Sequence, residues 1–368
     1  MADDRHSDHV TPGIGELDGI QYLRGIAAMM VLLFHVQVQL YRLGYDGAWP
    51  SGLLGGIDIF YVISGFIMWS TTIERSEDGP LDFWRRRIVR IVPLYWIVTG
   101  FVVIVLLSAP HMTQSSRFDL PHVASSFLFV GHPHPLTGRV EPLLIPGWTL
   151  NHEMFFYLIF GLFLLVPARI RLVGMLSALA GLVAFGRLLA PPAQSVAAFY
   201  TSNMLLEFGF GMLLGALAVQ GAGLKRARLA QGWVLLAIGA IMMAFPPAGH
   251  TLPGVVVRGL PAVMIVAGVL VVEAHRGLHR SRLLTGLGDA SYSIYLSHMI
   301  TLSASSQLWR AMGLPTDAAG LGAYVLVAAL LALAGGWFLY VGVERPLSRR
   351  LCAPVRVRTQ VASPEKSA

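Results

Sequence analysis

Charged residues and cysteine are what this sequence has little of. Asp, Glu, Lys and Arg together make up 13% of 368 residues, against 55% hydrophobic. Such a composition, with a mean hydropathy of +0.64, lies outside that of a soluble globular domain and makes lipid the implied solvent. The single cysteine, Cys352, falls in a polar C-terminal stretch, which excludes a disulfide framework and a cysteine-ligated metal site. No GxGxxG or GxxxxGKS/T element is present, so nucleotide hydrolysis has no motif to rest on. A formal charge of +7 would suggest nucleic acid if the basic residues formed one patch, but they fall in short clusters between apolar runs. No nucleic-acid partner is expected.

Long apolar runs are what the chain has instead. A spanning helix needs about 20 mostly apolar residues. Runs near 20–40, 51–73, 88–108, 148–167, 172–190, 200–220, 231–246, 254–273, 285–305 and 321–343 predict an all-α polytopic integral membrane protein with about ten transmembrane helices. Basic breaks such as ERSEDGPLDFWRRR, PARIR and GLKRARLAQG alternate with neutral ones such as PPAQS and GLPTDAAG. The basic set is expected to face the cytoplasm, with both termini on that side. Residues 1–16 read as a cytoplasmic tail ahead of a retained first helix, 17–345 as the transmembrane domain, and 346–368 as a basic tail. The stretch 109–147 contains an apolar segment too short to span and is expected to dip into, or lie on, the outer interface.

Ionisable groups inside a bilayer need a partner, a wet cavity or a task. Arg24 and His35 share the first helix, eleven residues apart, or about 16 Å in depth. Counting along the next helices puts Asp58 level with His35, and Asn151, His152 and Glu153 in the same outer layer, with Glu207 and Arg258 close behind. A histidine near a carboxylate can act as a general base on a hydroxyl, which makes His35, Asp58 and Glu153 the candidate catalytic group. The competing interpretation is an interhelical network that only fixes packing. Arg85, Arg86, Arg87 and Arg90 read both as a topogenic cluster held by anionic lipid and as a phosphate clamp. His111, His122, His132 and His134 lie in the outer stretch, but alternating His with an intervening Pro and no nearby Cys is a weak pattern, and no metal is expected. Trp148 and Tyr157 suit interfacial anchors or sugar-stacking platforms. Tyr292, Tyr295 and His298 suit packing, with His298 a candidate neighbour of the same cavity.

Five segments in order carry a family resemblance: LDGIQYLRGIAAMMVLLFH with its R-x10-H spacing, GGIDIFYVISGFIM, RRRIVRIVPLYW, PGWTLNHEMFFY and SYSIYLSH. Across essentially its whole length the chain resembles membrane acyltransferase family three, in particular its exopolysaccharide O-acetyltransferase branch. The resemblance implies a multi-pass protein of the bacterial inner membrane that transfers an acyl group, usually from acetyl-CoA, to a hydroxyl of an exported or lipid-linked glycan. The polysaccharide export machinery is then a candidate partner. It also implies essential roles for the residues matching Arg24 and His35, and involvement of those matching Asp58, Glu153 and the RRR segment. Since some members carry a fused extracytoplasmic domain, this chain is expected to complete transfer itself or to hand the acyl group on.

In the mechanism this suggests, acyl-CoA phosphates rest on Arg24, Arg85, Arg86, Arg87 and Arg90, and the thioester lies near His35. His35 either deprotonates the acceptor or carries the acyl group, oriented by Asp58 or Glu153. Arg258 is a candidate for the oxyanion, and Asn151, Trp148, His298 and Glu207 for contact with substrate. A proton-coupled transporter would use similar buried charges but predicts inverted repeats, which are not evident. A non-enzymatic assembly or sensor protein is a third class.

Overall fold

The computed structural model describes residues 17–74, 79–109, 117–219, 224, 226–247 and 253–351. The expected N-terminal tail, Cys352 with most of the basic C-terminal tail, and His111 lie outside the described residues. Helices occur at all ten expected positions: α1 (Asp18–Arg42), α2 (Gly56–Glu74), α3 (Pro80–Ser108), α5 (Gly147–Phe163), α6 (Ala168–Leu189), α8 (Met204–Val219), α9 (Leu229–Ala244), α10 (Leu260–Arg276), α11 (Arg282–Ala311) and α12 (Ala318–Leu339). Three short helices join them: α4 (Leu120–Phe127), α7 (Val196–Tyr200) and α13 (Arg345–Leu351). The described residues form no β-strand beyond an isolated Pro133–Val140 bridge.

Seven helical segments among the described residues are long and apolar enough to cross a membrane, and α9 is apolar but shorter. Large apolar side chains such as Leu188 and Phe338 stand exposed on the outside of the bundle, as a lipid-facing surface requires.

Several ends differ from the hydrophobic runs for local reasons. Gly79 in an extended conformation and Pro80 at the first turn start α3 two turns before its apolar stretch. Ser281 accepts the Leu284 N–H and begins α11, which continues to Ala311 through Ser, Thr and Gln residues that no apolar run reports. The run near 200–220 is broken at 201–203, leaving α7 as a separate turn. A π-helical segment, Tyr340–Glu344, carries the last run on into α13, within the stretch read as tail.

Close helix packing rests on glycine. A Cβ on Gly65 would lie 2.0 Å from the Phe208 carbonyl oxygen, and one on Gly211 2.0 Å from that of Val62. Helices α2 and α8 can therefore touch backbone to backbone only because both faces lack side chains. At the start of α1, where Leu17 gives no side-chain cap, both Glu273 carboxylate oxygens accept the Gly19 N–H at 3.2 Å, satisfying a free amide and favouring the positive helix end.

Candidate active site

The helices enclose a cavity of about 850 Å³, counting its open mouth, between α1, α2, α3, α5 and α11. One end of the bundle carries the RRR segment and is called the basic face below. Arg24, Arg87 and Arg90 line the cavity toward that face, and Glu153 and Tyr157 stand on its wall. Phe60, Tyr61, Thr149 and Tyr295 line it deeper in.

Each polar group of the wall is held in place. Ser64 Oγ donates to Glu153 Oε1 at 2.7 Å, and the Tyr157 hydroxyl donates to the same oxygen. Arg87 reaches Thr71 Oγ1 at 3.5 Å and lies over the Phe83 and Tyr157 rings. Arg24 bonds Gln21 at 2.9 Å and feels Arg90, Glu344, Asp289 and Glu153 as its charged neighbours. Tyr295 shares a 2.7 Å bond with Thr149, and Tyr292 donates to the Ile91 carbonyl.

His35 is oriented differently from the sequence expectation. Its Nδ1 lies 2.8 Å from the Val31 carbonyl and 3.2 Å from His298 Nε2. His298 Nδ1 in turn lies 2.6 Å from the Tyr295 carbonyl. A carbonyl only accepts, so both Nδ1 atoms carry protons and His298 Nε2 presents a lone pair to the His35 N–H. The tautomer of His35 is thereby set by main chain and a second imidazole, leaving its Nε2 as an unprotonated base. The expected carboxylate partners are elsewhere, so neither Asp58 nor Glu153 orients this ring. Neither His35 nor His298 is among the residues lining the cavity; Tyr295 lines it and packs on His298, with ring centres 5.8 Å apart.

Asp58 belongs to a separate group. It is 1% exposed, its Oδ2 meets Arg258 Nε at 3.3 Å, and Glu207 is its other charged neighbour. Arg258 lies in a π-helical turn, Val255–Gly259, preceding α10. Glu207 packs so closely on Gly259 that a Cβ there would meet Oε1 at 2.9 Å. These three side chains lie outside the cavity lining, so Arg258 stands on Asp58 rather than on the space available to a thioester. Arg85 and Arg86 likewise lie outside the lining. Asn151 is buried, and neither of its amide atoms has a hydrogen-bond partner among the described residues.

The outer histidines build structure. His122 Nε2 donates to the Glu141 carbonyl at 2.8 Å, and His134 Nδ1 accepts the Leu136 N–H. These contacts fold 117–147 over the end of the bundle. No group of three or more metal-ligating side chains is assembled among the described residues.

Residues missed by sequence reasoning are Ser64 and Tyr61, and His152, placed in the outer layer, was given no role. His152 Nε2 donates to the Phe199 carbonyl at 2.8 Å and its Nδ1 accepts from the Tyr61 hydroxyl at 3.4 Å. The Glu153-x3-Tyr157 spacing, one helical turn, was a readable sign of the Glu153 hydrogen bond.

The cavity is thus basic at its mouth and aromatic within. Residues 17–341 match the acyltransferase domain of family three. The chain belongs to this acyltransferase family. It is 38% identical over 305 residues, 80% of this chain and 89% of the relative, to the exopolysaccharide production protein ExoZ of Rhizobium meliloti (strain 1021). It is 25% identical to the acyltransferase MdmB of Streptomyces mycarofaciens, over 92% of this chain and 94% of the relative. A partial match, 30% identical over 44% of this chain and 25% of the relative, is to the peptidoglycan O-acetyltransferase OatA of Listeria monocytogenes serovar 1/2a (strain ATCC BAA-679 / EGD-e). No solved structure matches the chain. Membership and the apolar helices together make this acyltransferase-family chain a multi-pass membrane protein.

Proposed function

We propose that the chain is an O-acyltransferase that moves an acyl group, acetyl first among them, from cytoplasmic acyl-CoA to a hydroxyl of an exported or lipid-linked surface polysaccharide. The observation that carries this reading is the cavity with Arg24, Arg87 and Arg90 toward its mouth and the aromatic wall beyond. Guanidinium groups suit the donor's phosphates, and the narrow apolar interior suits its pantetheine arm. The likeness to an exopolysaccharide production protein supports a glycan acceptor. On this reading the basic face is cytoplasmic, the membrane is the bacterial inner membrane, and export machinery supplies the glycan.

Transfer then needs one base. The acceptor hydroxyl gives its proton to His35 Nε2 as its oxygen bonds the thioester carbon, the C–S bond breaks, and the CoA sulfur takes the proton back from the imidazolium. Alternatively the same lone pair attacks the thioester carbon, the C–S bond breaks and CoA leaves as thiolate; the acyl-imidazolium then passes the acyl group to the hydroxyl oxygen as its C–N bond breaks, and the hydroxyl proton goes to the thiolate. Glu153, held by Ser64 and Tyr157, provides fixed negative charge beside the arginines, and Asp58 positions Arg258.

The test is His35→Gln in cells, with membrane insertion checked and ester-linked acyl groups on surface glycans quantified. Loss of esters from an inserted protein is expected, whereas normal acylation would remove His35 from the chemistry. Trapping radiolabel from acyl-CoA on His35 would select the covalent route.

A further inference from the structure

A second recess of about 730 Å³ opens at the end of the bundle away from the RRR segment. Three stretches build it: Arg139 and Val140 from the folded outer segment, Trp148 and His152 from the first turns of α5, and residues 193–204 around α7. Resting on the acyltransferase reading above, we infer that this groove is the acceptor subsite and takes a pyranose ring of the glycan.

The chemistry of the walls favours a sugar over an acyl chain or a peptide strand. Trp148 is half-buried, and its indole N–H has no hydrogen bond among the described residues. A flat aromatic surface at the edge of a groove receives the apolar C–H face of a sugar ring. Around it stand side chains with unused donors and acceptors. The Gln194 amide makes no hydrogen bond among the described residues, and Arg139 has Glu141 only at 4.0 Å. The hydroxyls of Ser195 and Ser202 lie on the same wall. Multiple hydroxyls fixed at known angles match such a set, and a hydrocarbon tail leaves all of it unpaired.

The groove also connects to the inner cavity. His152 is on the wall of the groove, and Tyr61 is on the wall of the cavity. The two side chains meet at 3.4 Å. His152 is further stacked on Phe199 at 3.8 Å between ring centres. The two walls therefore touch at this hydrogen-bonded pair, and displacing it brings a sugar hydroxyl in the groove toward the donor cavity.

The experiment uses the full chain in lipid nanodiscs, acetyl-CoA as donor, and as acceptor oligosaccharides cut from the host's surface polysaccharide and de-esterified with mild base. Trp148→Ala and Gln194→Ala are expected to raise the acceptor KM about tenfold with acetyl-CoA affinity unchanged, and Trp148→Phe to recover most of the loss. An unchanged acceptor KM in both alanine variants, or a fall confined to kcat, would overturn the assignment. Absence of both acetyl-CoA binding and transfer in the unaltered protein would instead refute the proposed activity. The groove is then read by titrating tryptophan fluorescence with the same oligosaccharides. A response that disappears in Trp148→Phe supports the subsite, and one that persists overturns it.

Discussion

Replacing Arg258 with alanine probes the buried charge group on which α2, α8 and α10 converge. Among the described residues, the guanidinium is the one cation facing two carboxyls, Asp58 and Glu207. Removing one member of a buried ion pair costs about 3–5 kcal/mol, because the remaining charge is left unpaired in a medium of low polarity. The Arg258 side chain is 28% exposed while that of Asp58 is 2% exposed, so some screening applies and the lower end, about 3 kcal/mol, is expected. The loss is measured by unfolding the purified protein in mixed micelles with increasing denaturing detergent. Arg258→Gln combined with Asp58→Asn and Glu207→Gln removes every charge together and is expected to recover most of the stability. A stable Arg258→Ala protein, or a triple variant no better than the single one, would refute the view that this group is an isolated electrostatic tie between helices.

Other outcomes follow from the same geometry. Arg24→Gln and Arg87→Gln each remove a charge-assisted contact worth about 1.5–3 kcal/mol, so acetyl-CoA affinity by calorimetry is expected to fall about 10- to 100-fold, while Arg85→Gln, outside the lining, changes it little. Gly211→Val and Gly65→Leu force a side chain onto a carbonyl oxygen 2.0 Å from the Cβ position; overpacking of this kind costs about 1–3 kcal/mol or more, and a reduced yield of monodisperse protein on extraction is the readout. Burial, and then the His122 ring, hold His134 below the ordinary histidine value. The folded outer segment thus favours neutral His134, its stability is complete at neutral pH and declines as pH falls below about 6.5. Faster hydrogen exchange across 117–147 at pH 5 than at pH 7, flattened in His134→Asn, is the expected result after correction for intrinsic rates.

Position along each helix was legible in the sequence; direction around each helix axis was not. Rise per residue places Arg24 and His35 about 16 Å apart, and the cavity extends inward past Arg24 in the same sense. Asp58 shows the limit. Counting residues puts it level with His35, but it lies about 200° around α2 from Phe60, so with Phe60 and Ser64 facing the cavity it faces α8 and Arg258 instead. Which side of α2 meets which neighbour is decided by the glycine contacts at Gly65 and Gly211, between segments about 150 residues apart. His298 was marked as a neighbour of the cavity, yet its pairing with His35 depends on how α1 packs on α11 at Gly25 and Gly288. His152 was placed in the outer layer without partners, because Tyr61 and Phe199 come from two other helices.

The central claim is that the cavity lined by Arg24, Arg87 and Arg90 receives the donor. The most direct measurement is a cryo-electron microscopy structure of the full chain in nanodiscs with a non-transferable acetyl-CoA analogue. The account predicts the phosphates beside Arg24, Arg87 and Arg90 and the acyl end between Tyr61 and Tyr295. Donor density in the groove beside Trp148, or on the bundle's lipid-facing exterior, would contradict it.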